Sequence, residues 1–279
     1  MQPIYEFGGA GPVVHLAVAN GFPPQTYHPL VEPLTARYRV VNLPPRALWP
    51  DARPPEQRQN WKQTVAADLI QGLRDYDLRD VIAIGHSFGG VASILAAIAE
   101  PERFRALVLL DPTILPRAGM WSMRLSQWLG RDLVNPLARG ADRRRDRFES
   151  CEAAYERLRG KALFADWDER AFQGYIDALR TLPDGAGVTL AWPRAWEAYY
   201  FRTLYTYTWN ELPRLRALVP VLTIRGGDSD TLLPTAAARM RRVLPEMTYR
   251  EVAGHGHLFP QSAPDVTRAM IAEWLDALD

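Results

Sequence analysis

Residues 82–99 read IAIGHSFGGVASILAAIA. The stretch begins as an apolar β-branched run and ends as an alanine-rich helical one, with a single serine, Ser87, between glycines at the junction. A run of this kind entering a helix through Gly-x-Ser-x-Gly predicts a strand over Val81–Gly85, a sharp reversal, and a helix over Phe88–Ala99. A serine hydroxyl is a poor nucleophile at neutral pH, so it needs an adjacent base and must project from the backbone into open space. A tight strand-to-helix turn achieves that at the cost of a strained backbone and close approach of the two elements. Gly85 and Gly89 remove the β-carbons that would collide there, and Gly90 adds a further small contact. The helix beginning at the serine aims unpaired amides and its positive end at any charge that develops.

Outward from this turn, short strand-like runs alternate with helical patterns. Such alternation predicts an α/β fold, a mostly parallel twisted sheet flanked by helices. The expected strands are Ile4–Phe7, Val13–Ala19, Tyr38–Leu43, Val81–Gly85, Ala106–Leu110, Val221–Ile224 and Thr248–Val252. Helices are expected near Thr26–Arg37, over 56–75, near Thr235–Leu244 and near Asp265–Leu278. In the second of these, Trp61, Val65, Leu69 and Leu73 form one stripe. The rhythm breaks from 112 to 218, where the segments look helical and rich in tryptophan, tyrosine and arginine, with no convincing buried strand. The expected organisation is a core of 1–111 and 219–279 interrupted by a helical cap, 112–218.

Five histidines can be weighed as the base. His15 lies in an expected strand and His86 in the turn itself, which suits structural or supporting roles. VAGHGHLFPQSAP, by contrast, is a glycine-rich loop between the last strand and the last helix, placed to swing an imidazole over the sheet's carboxyl edge. His257 is the favoured base there and His255 its rival. The imidazole needs a carboxylate to fix its tautomer and stabilise its charged form. VLTIRGGDSDTLLP offers Asp230, with Asp228 as near rival, and Asp111 is a more distant third whose alternative role is to form the turn before Pro112. An oxyanion needs two amide donors: Phe88, following the serine, and Phe22, in the NGFPP loop after an early strand.

The order serine, acid, histidine, with the serine in a glycine elbow, resembles the α/β-hydrolase superfamily, in its capped esterase- and lipase-like branch. NGFPP, GHSFGG, SDTLLP and GHGHLFPQSAP carry the resemblance through most of the core. Two departures stand out. Asn20-Gly21 replaces the usual His-Gly before the oxyanion loop, and LPPRALWP replaces a loop that is often Asp-x-x-Gly. The resemblance implies a serine hydrolase acting on a small or medium carboxylic ester through an acyl-enzyme. The same residues would also serve carbon–carbon hydrolysis, lactone opening, perhydrolysis or acyl transfer, and a catalytically silent small-ligand receptor is the reading from another class. Aromatics of the insertion mostly suit its own core, with Trp121 and Met123 as candidate substrate contacts. RGADRRRDRF, residues 139–148, reads as a solvated charged face.

The bulk composition narrows the partners. Over 279 residues the formal net charge is +1 and 47% of residues are hydrophobic, which makes no overall electrostatic case for nucleic acid or an anionic membrane. No cluster has metal-ligand spacing and no cofactor is implied, so the expected partner is a small ester or acyl compound. No apolar run reaches the length of a membrane span, MQPIYEFGGAGP lacks the pattern of a signal peptide, and the lone Cys151 fits a reducing compartment. The expectation is a cytoplasmic protein.

Overall fold

A computed structural model describes residues 2–130 and 135–278. Its centre is a seven-stranded sheet in the order β1-β3-β2-β4-β5-β9-β10. The strands are β1 (Tyr5–Gly8), β2 (Val13–Ala17), β3 (Arg39–Asn42), β4 (Val81–His86), β5 (Phe104–Leu110), β9 (Val221–Gly226) and β10 (Thr248–Val252). Only the edge strand β1 runs antiparallel to its neighbour, and every other pairing is parallel. Parallel strands are covered on both faces and so read as continuous apolar runs rather than alternating ones. Every residue of β4 and of β9 is buried accordingly.

Five of the helices of eight residues or more lie along the chain to the middle of the intervening segment: α1 (Ala67–Asp75), α2 (Phe88–Ala99), α3 (Arg117–Trp128), α4 (Pro136–Arg143) and α5 (Cys151–Arg159). After them come α6 (Glu169–Asp177), α7 (Arg194–Arg202), α8 (Pro234–Val243) and α9 (Pro264–Asp276). The stripe Trp61, Val65, Leu69 and Leu73 is buried, as its spacing requires. Its helix nevertheless starts later than 56. The Asn60 side chain accepts from the amides of Lys62 and Gln63, and a wide turn at Lys62–Ala66 leads into α1. The expected helix over Thr26–Arg37 is instead a chain of short turns, Pro24–Tyr27, His28–Val31 and Glu32–Ala36. Pro24, Pro29 and Pro33 have no amide hydrogen to continue a helical ladder.

The segment between β5 and β9 is not wholly helical. It holds a small antiparallel sheet of β6 (Arg147–Phe148), β7 (Arg180–Thr181) and β8 (Val188–Thr189). Strands two residues long are too brief for any periodicity to announce them. Most aromatics of the segment form its packed body. Trp192, Trp196 and Tyr200 are almost fully buried. The Tyr200 ring packs 4.8 Å from that of Phe88, so this layer rests directly on the residue after Ser87.

Candidate active site

Register brings the first two groups together. β4 and β5 pair in parallel with His86 opposite Leu110, so the next residue on each strand, Ser87 and Asp111, emerges at the same carboxyl edge. The Ser87 amide donates to the Leu110 carbonyl at 2.9 Å. Ser87 has φ 56° and ψ −116°, a conformation that costs a non-glycine residue of order 1–3 kcal/mol and is held only by surrounding structure. That structure is the predicted close approach. A β-carbon on Gly89 would lie 2.2 Å from the Ala17 carbonyl oxygen, and one on Gly85 would lie 2.7 Å from the Gly90 α-carbon.

His257, from the loop after β10, completes a continuous row. Its Nδ1 lies 2.6 Å from Asp111 Oδ2 and its Nε2 2.8 Å from Ser87 Oγ. A carboxylate can only accept, so Nδ1 carries the proton and Nε2 is free to accept from the serine hydroxyl. Such a row can pass a proton from Ser87 to the imidazole while the buried carboxylate compensates the charge that results.

The carboxylate is therefore not the favoured Asp230. Asp230 and its rival Asp228 are both exposed. Asp230 accepts from the neighbouring Thr231 hydroxyl at 3.2 Å, and the Asp228 amide donates to the His255 carbonyl at 2.9 Å. Ser229, between them, is the residue turned inward: its hydroxyl donates to Asp111 Oδ2 at 2.5 Å. The amides of Gly226 and Leu232 add donors at 3.2 and 3.4 Å. The segment SDTLLP thus cradles a carboxylate supplied by the adjacent strand. Asp111 itself is fully buried, with φ 43°, a region that Asp tolerates better than most residues. Its signal in the sequence was an aspartate ending the strand beside the serine's own, and that neighbour relation is not visible locally.

His255 is the loop residue that its alternative reading described, with Nδ1 2.8 Å from Ser262 Oγ. His86 supports the site from beneath. Its Nε2 donates to the His257 carbonyl at 3.0 Å, and its Nδ1 accepts from Tyr27 Oη at 2.7 Å. The Tyr27 oxygen accepts in turn from the Ala19 amide at 2.9 Å. Burial, together with the neighbouring His257, holds His86 well below the usual histidine range. A neutral ring is what one donor and one acceptor nitrogen require. This chain of bonds ties the loop after β2 to the backbone of the histidine loop.

Phe88 opens α2, where the first amides have no intrahelical acceptor. The Phe22 amide closes a turn onto the Ala19 carbonyl, at a long 3.3 Å. Beside it Gly21 has φ 94°, and an added β-carbon would meet the Glu197 carboxylate at 3.2 Å. Asn20, in place of the usual histidine, donates to the Glu197 carbonyl at 3.0 Å. Glu197 is buried, which raises its pKa, and it pairs with Arg144 at 3.0 Å, which opposes that shift. One further hydroxyl reaches the serine: Thr113 Oγ1 lies 3.0 Å from Ser87 Oγ. Neither Thr113 nor Ser229 was singled out in the sequence, where small hydroxyl residues carry no distinctive pattern.

Two residues of α3 were expected to touch substrate. Trp121 is 60% exposed, under the Arg124 guanidinium, and Met123 is half-buried against the core. No group of three or more His, Cys, Asp or Glu able to hold a metal ion occurs among the described residues.

The sequence profile of the alpha/beta hydrolase family matches residues 13–270. The chain belongs to this family. Among curated proteins it is 24% identical to 2-(acetamidomethylene)succinate hydrolase of Mesorhizobium japonicum, over 96% of this chain and 90% of that one. It is 29% identical to Lipase LipV of Mycobacterium tuberculosis, over 68% and 67% of the respective chains. Among solved structures, E-2-(acetamidomethylene)succinate hydrolase superposes with a TM-score of 0.75 at 20% identity, covering 98% of this chain and 94% of the other. This alpha/beta hydrolase therefore shares its fold and family with hydrolases of differing substrates. No helix among its described residues is long and apolar enough to cross a membrane.

Proposed function

We propose that this alpha/beta hydrolase is a serine hydrolase that cleaves small or medium carboxylic esters through an acyl-enzyme. The observation that carries the reading is the unbroken row from Ser87 through His257 to Asp111, with contacts of 2.8 and 2.6 Å. Ser87 Oγ attacks the ester carbonyl as its proton passes to His257 Nε2. The new oxyanion is met by the Phe88 amide and by the Phe22 amide, which exchanges its long turn bond for the substrate oxygen. His257 then protonates the departing alcohol. Water, deprotonated by the same nitrogen, attacks the acyl carbon and releases the acid and Ser87. Throughout, Asp111 holds Nδ1 protonated and balances the imidazolium. Residues 112–218 act as a cap over this edge, and the reducing cytoplasm suits the single free Cys151.

A panel of nitrophenyl esters of graded acyl length tests the reading. Ser87→Ala should lose roughly 10⁶-fold in turnover, and a fluorophosphonate should add its mass to Ser87 in the unaltered protein. Retention of most of the turnover would defeat the assignment. A second reading has one observation in its favour: a hydrolase named for an acetamido compound matches along nearly the full chain in both sequence and fold. The same row would then open a small amide, and N-acetyl amides alongside the esters separate the two by kcat/KM.

A further inference from the structure

Helix α3 buries Met120 and packs Met123 against the core, yet turns a second apolar side to water. Trp121, Leu125 and Trp128 are 60%, 54% and 81% exposed, and Leu129, one residue beyond the helix, is 47% exposed. In a helix these positions share one side. Arg124, whose guanidinium also lies 4.7 Å from the Trp121 ring, and Gln127 flank that side and reach the protein. Arg124 Nη2 donates to the Thr206 carbonyl at 2.9 Å, and its guanidinium stacks on Tyr207, itself 46% exposed. Gln127 Nε2 donates to the carbonyls of Leu204 and Arg202 at 3.0 and 3.2 Å. These bonds fix the helix's rotation. Turning the tryptophans inward would bury apolar area but strand three carbonyls and two polar side chains.

The sequence that carries and follows this helix is strongly basic. The chain as a whole carries +1, yet residues 117–147 hold eight arginines against three acidic residues. Two of those acids are already engaged from outside the segment, Asp142 by Arg202 and Asp146 by Arg194. Arg117, Arg139, Arg143, Arg145 and Arg147 are exposed. A second copy of the chain would bring this excess of positive charge against itself. An anionic lipid surface would instead meet it with opposite charge, while aromatic and leucine side chains enter the boundary between headgroups and acyl chains.

We infer that α3 is an interfacial helix that docks this protein on an anionic phospholipid surface through Trp121, Leu125, Trp128 and Leu129. The overall balance of charge, which argued against such a partner, conceals a strongly basic segment. The chain between Asp111 and α3 passes through Thr113, hydrogen-bonded to Ser87, so docking would set the serine's edge of the sheet near the lipid. The inference rests on exposure and charge and stands apart from the proposed chemistry.

Co-flotation with unilamellar vesicles of phosphatidylcholine containing phosphatidylglycerol, beside pure phosphatidylcholine, tests it, using the full chain carrying Ser87→Ala so that hydrolysis plays no part. Binding should favour the anionic vesicles and fall as salt is raised. It should weaken by at least about tenfold when Trp121→Ser and Trp128→Ser are combined, since each loses the burial of a large ring, while Tm stays unchanged. Absence of binding, or binding indifferent to the double substitution, would overturn the inference. So would a dimer in light scattering that the double substitution dissolves while no vesicle is bound, which would assign the face to a second copy.

Discussion

Replacing Asp111 by Asn keeps the shape of the side chain and removes its charge. The carboxylate accepts from His257 Nδ1 at 2.6 Å and from Ser229 Oγ at 2.5 Å, with two backbone amides at 3.2 and 3.4 Å. His257 Nδ1 and Ser229 Oγ meet the same oxygen, Oδ2, so an asparagine that keeps its oxygen on the Gly226 amide turns its NH₂ toward His257, and the Ser229 hydroxyl rotates to accept. Nδ1 must then accept, the proton moves to Nε2, and the imidazole points a donor at Ser87 instead of an acceptor. The base is lost although nothing has moved. A tautomer trap of this kind in a serine–histidine–aspartate site costs about 10⁴-fold in kcat, equivalent to about 5.5 kcal/mol of transition-state stabilisation. Asp230→Asn and Asp228→Asn, at exposed positions with no contact to the imidazole, should stay within about twofold, as surface substitutions usually do. Nitrophenyl ester hydrolysis at pH 7.5 measures all three, with circular dichroism confirming that each variant is folded. If Asp111→Asn kept more than a tenth of the activity while Asp230→Asn lost it, the assignment of the carboxylate would be refuted.

Three further outcomes follow from the geometry. Gly89→Ala places a β-carbon 2.2 Å from the Ala17 carbonyl oxygen, a backbone contact that cannot yield cheaply, so urea unfolding should show a loss of about 1–3 kcal/mol or no soluble protein. Tyr27→Phe removes the hydroxyl between the Ala19 amide and His86 and leaves buried polar groups without partners. Unfolding free energy should drop by about 1–3 kcal/mol, with kcat falling more than KM changes as the loop after β2 and the histidine loop lose their tie. His15 is buried, and desolvation pushes its pKa from 6.5 to about 3. The unfolded chain therefore binds the extra proton first, so stability is fully present above about pH 6.5 and declines as pH falls toward 3. Urea midpoints should fall between pH 7.5 and 5, and His15→Gln, able to accept from the Leu43 amide as His15 Nε2 does at 3.1 Å, should flatten that decline.

The elbow was legible because its causes are local. Two glycines, a serine, an apolar run before and an alanine-rich run after are steric requirements written within one short stretch, and the helix over Phe88–Ala99 begins and ends where expected. His257 could be read for a similar reason, since only its glycine-rich loop lay past the last strand with a histidine to spare. The tertiary structure decided which carboxylate meets His257. Asp111 faces His257 because β5 lies beside β4 in register, and Ser229 rather than Asp228 or Asp230 turns inward from the loop after β9. Neighbour relations between strands far apart in the chain leave no trace in local spacing, so two aspartates with a better sequence context gave way to one with a better place in the sheet. The outward apolar face of α3 has the same origin. Its periodicity is plain along the chain, but which side meets the protein depends on the distant carbonyls of Arg202, Leu204 and Thr206 that Arg124 and Gln127 reach.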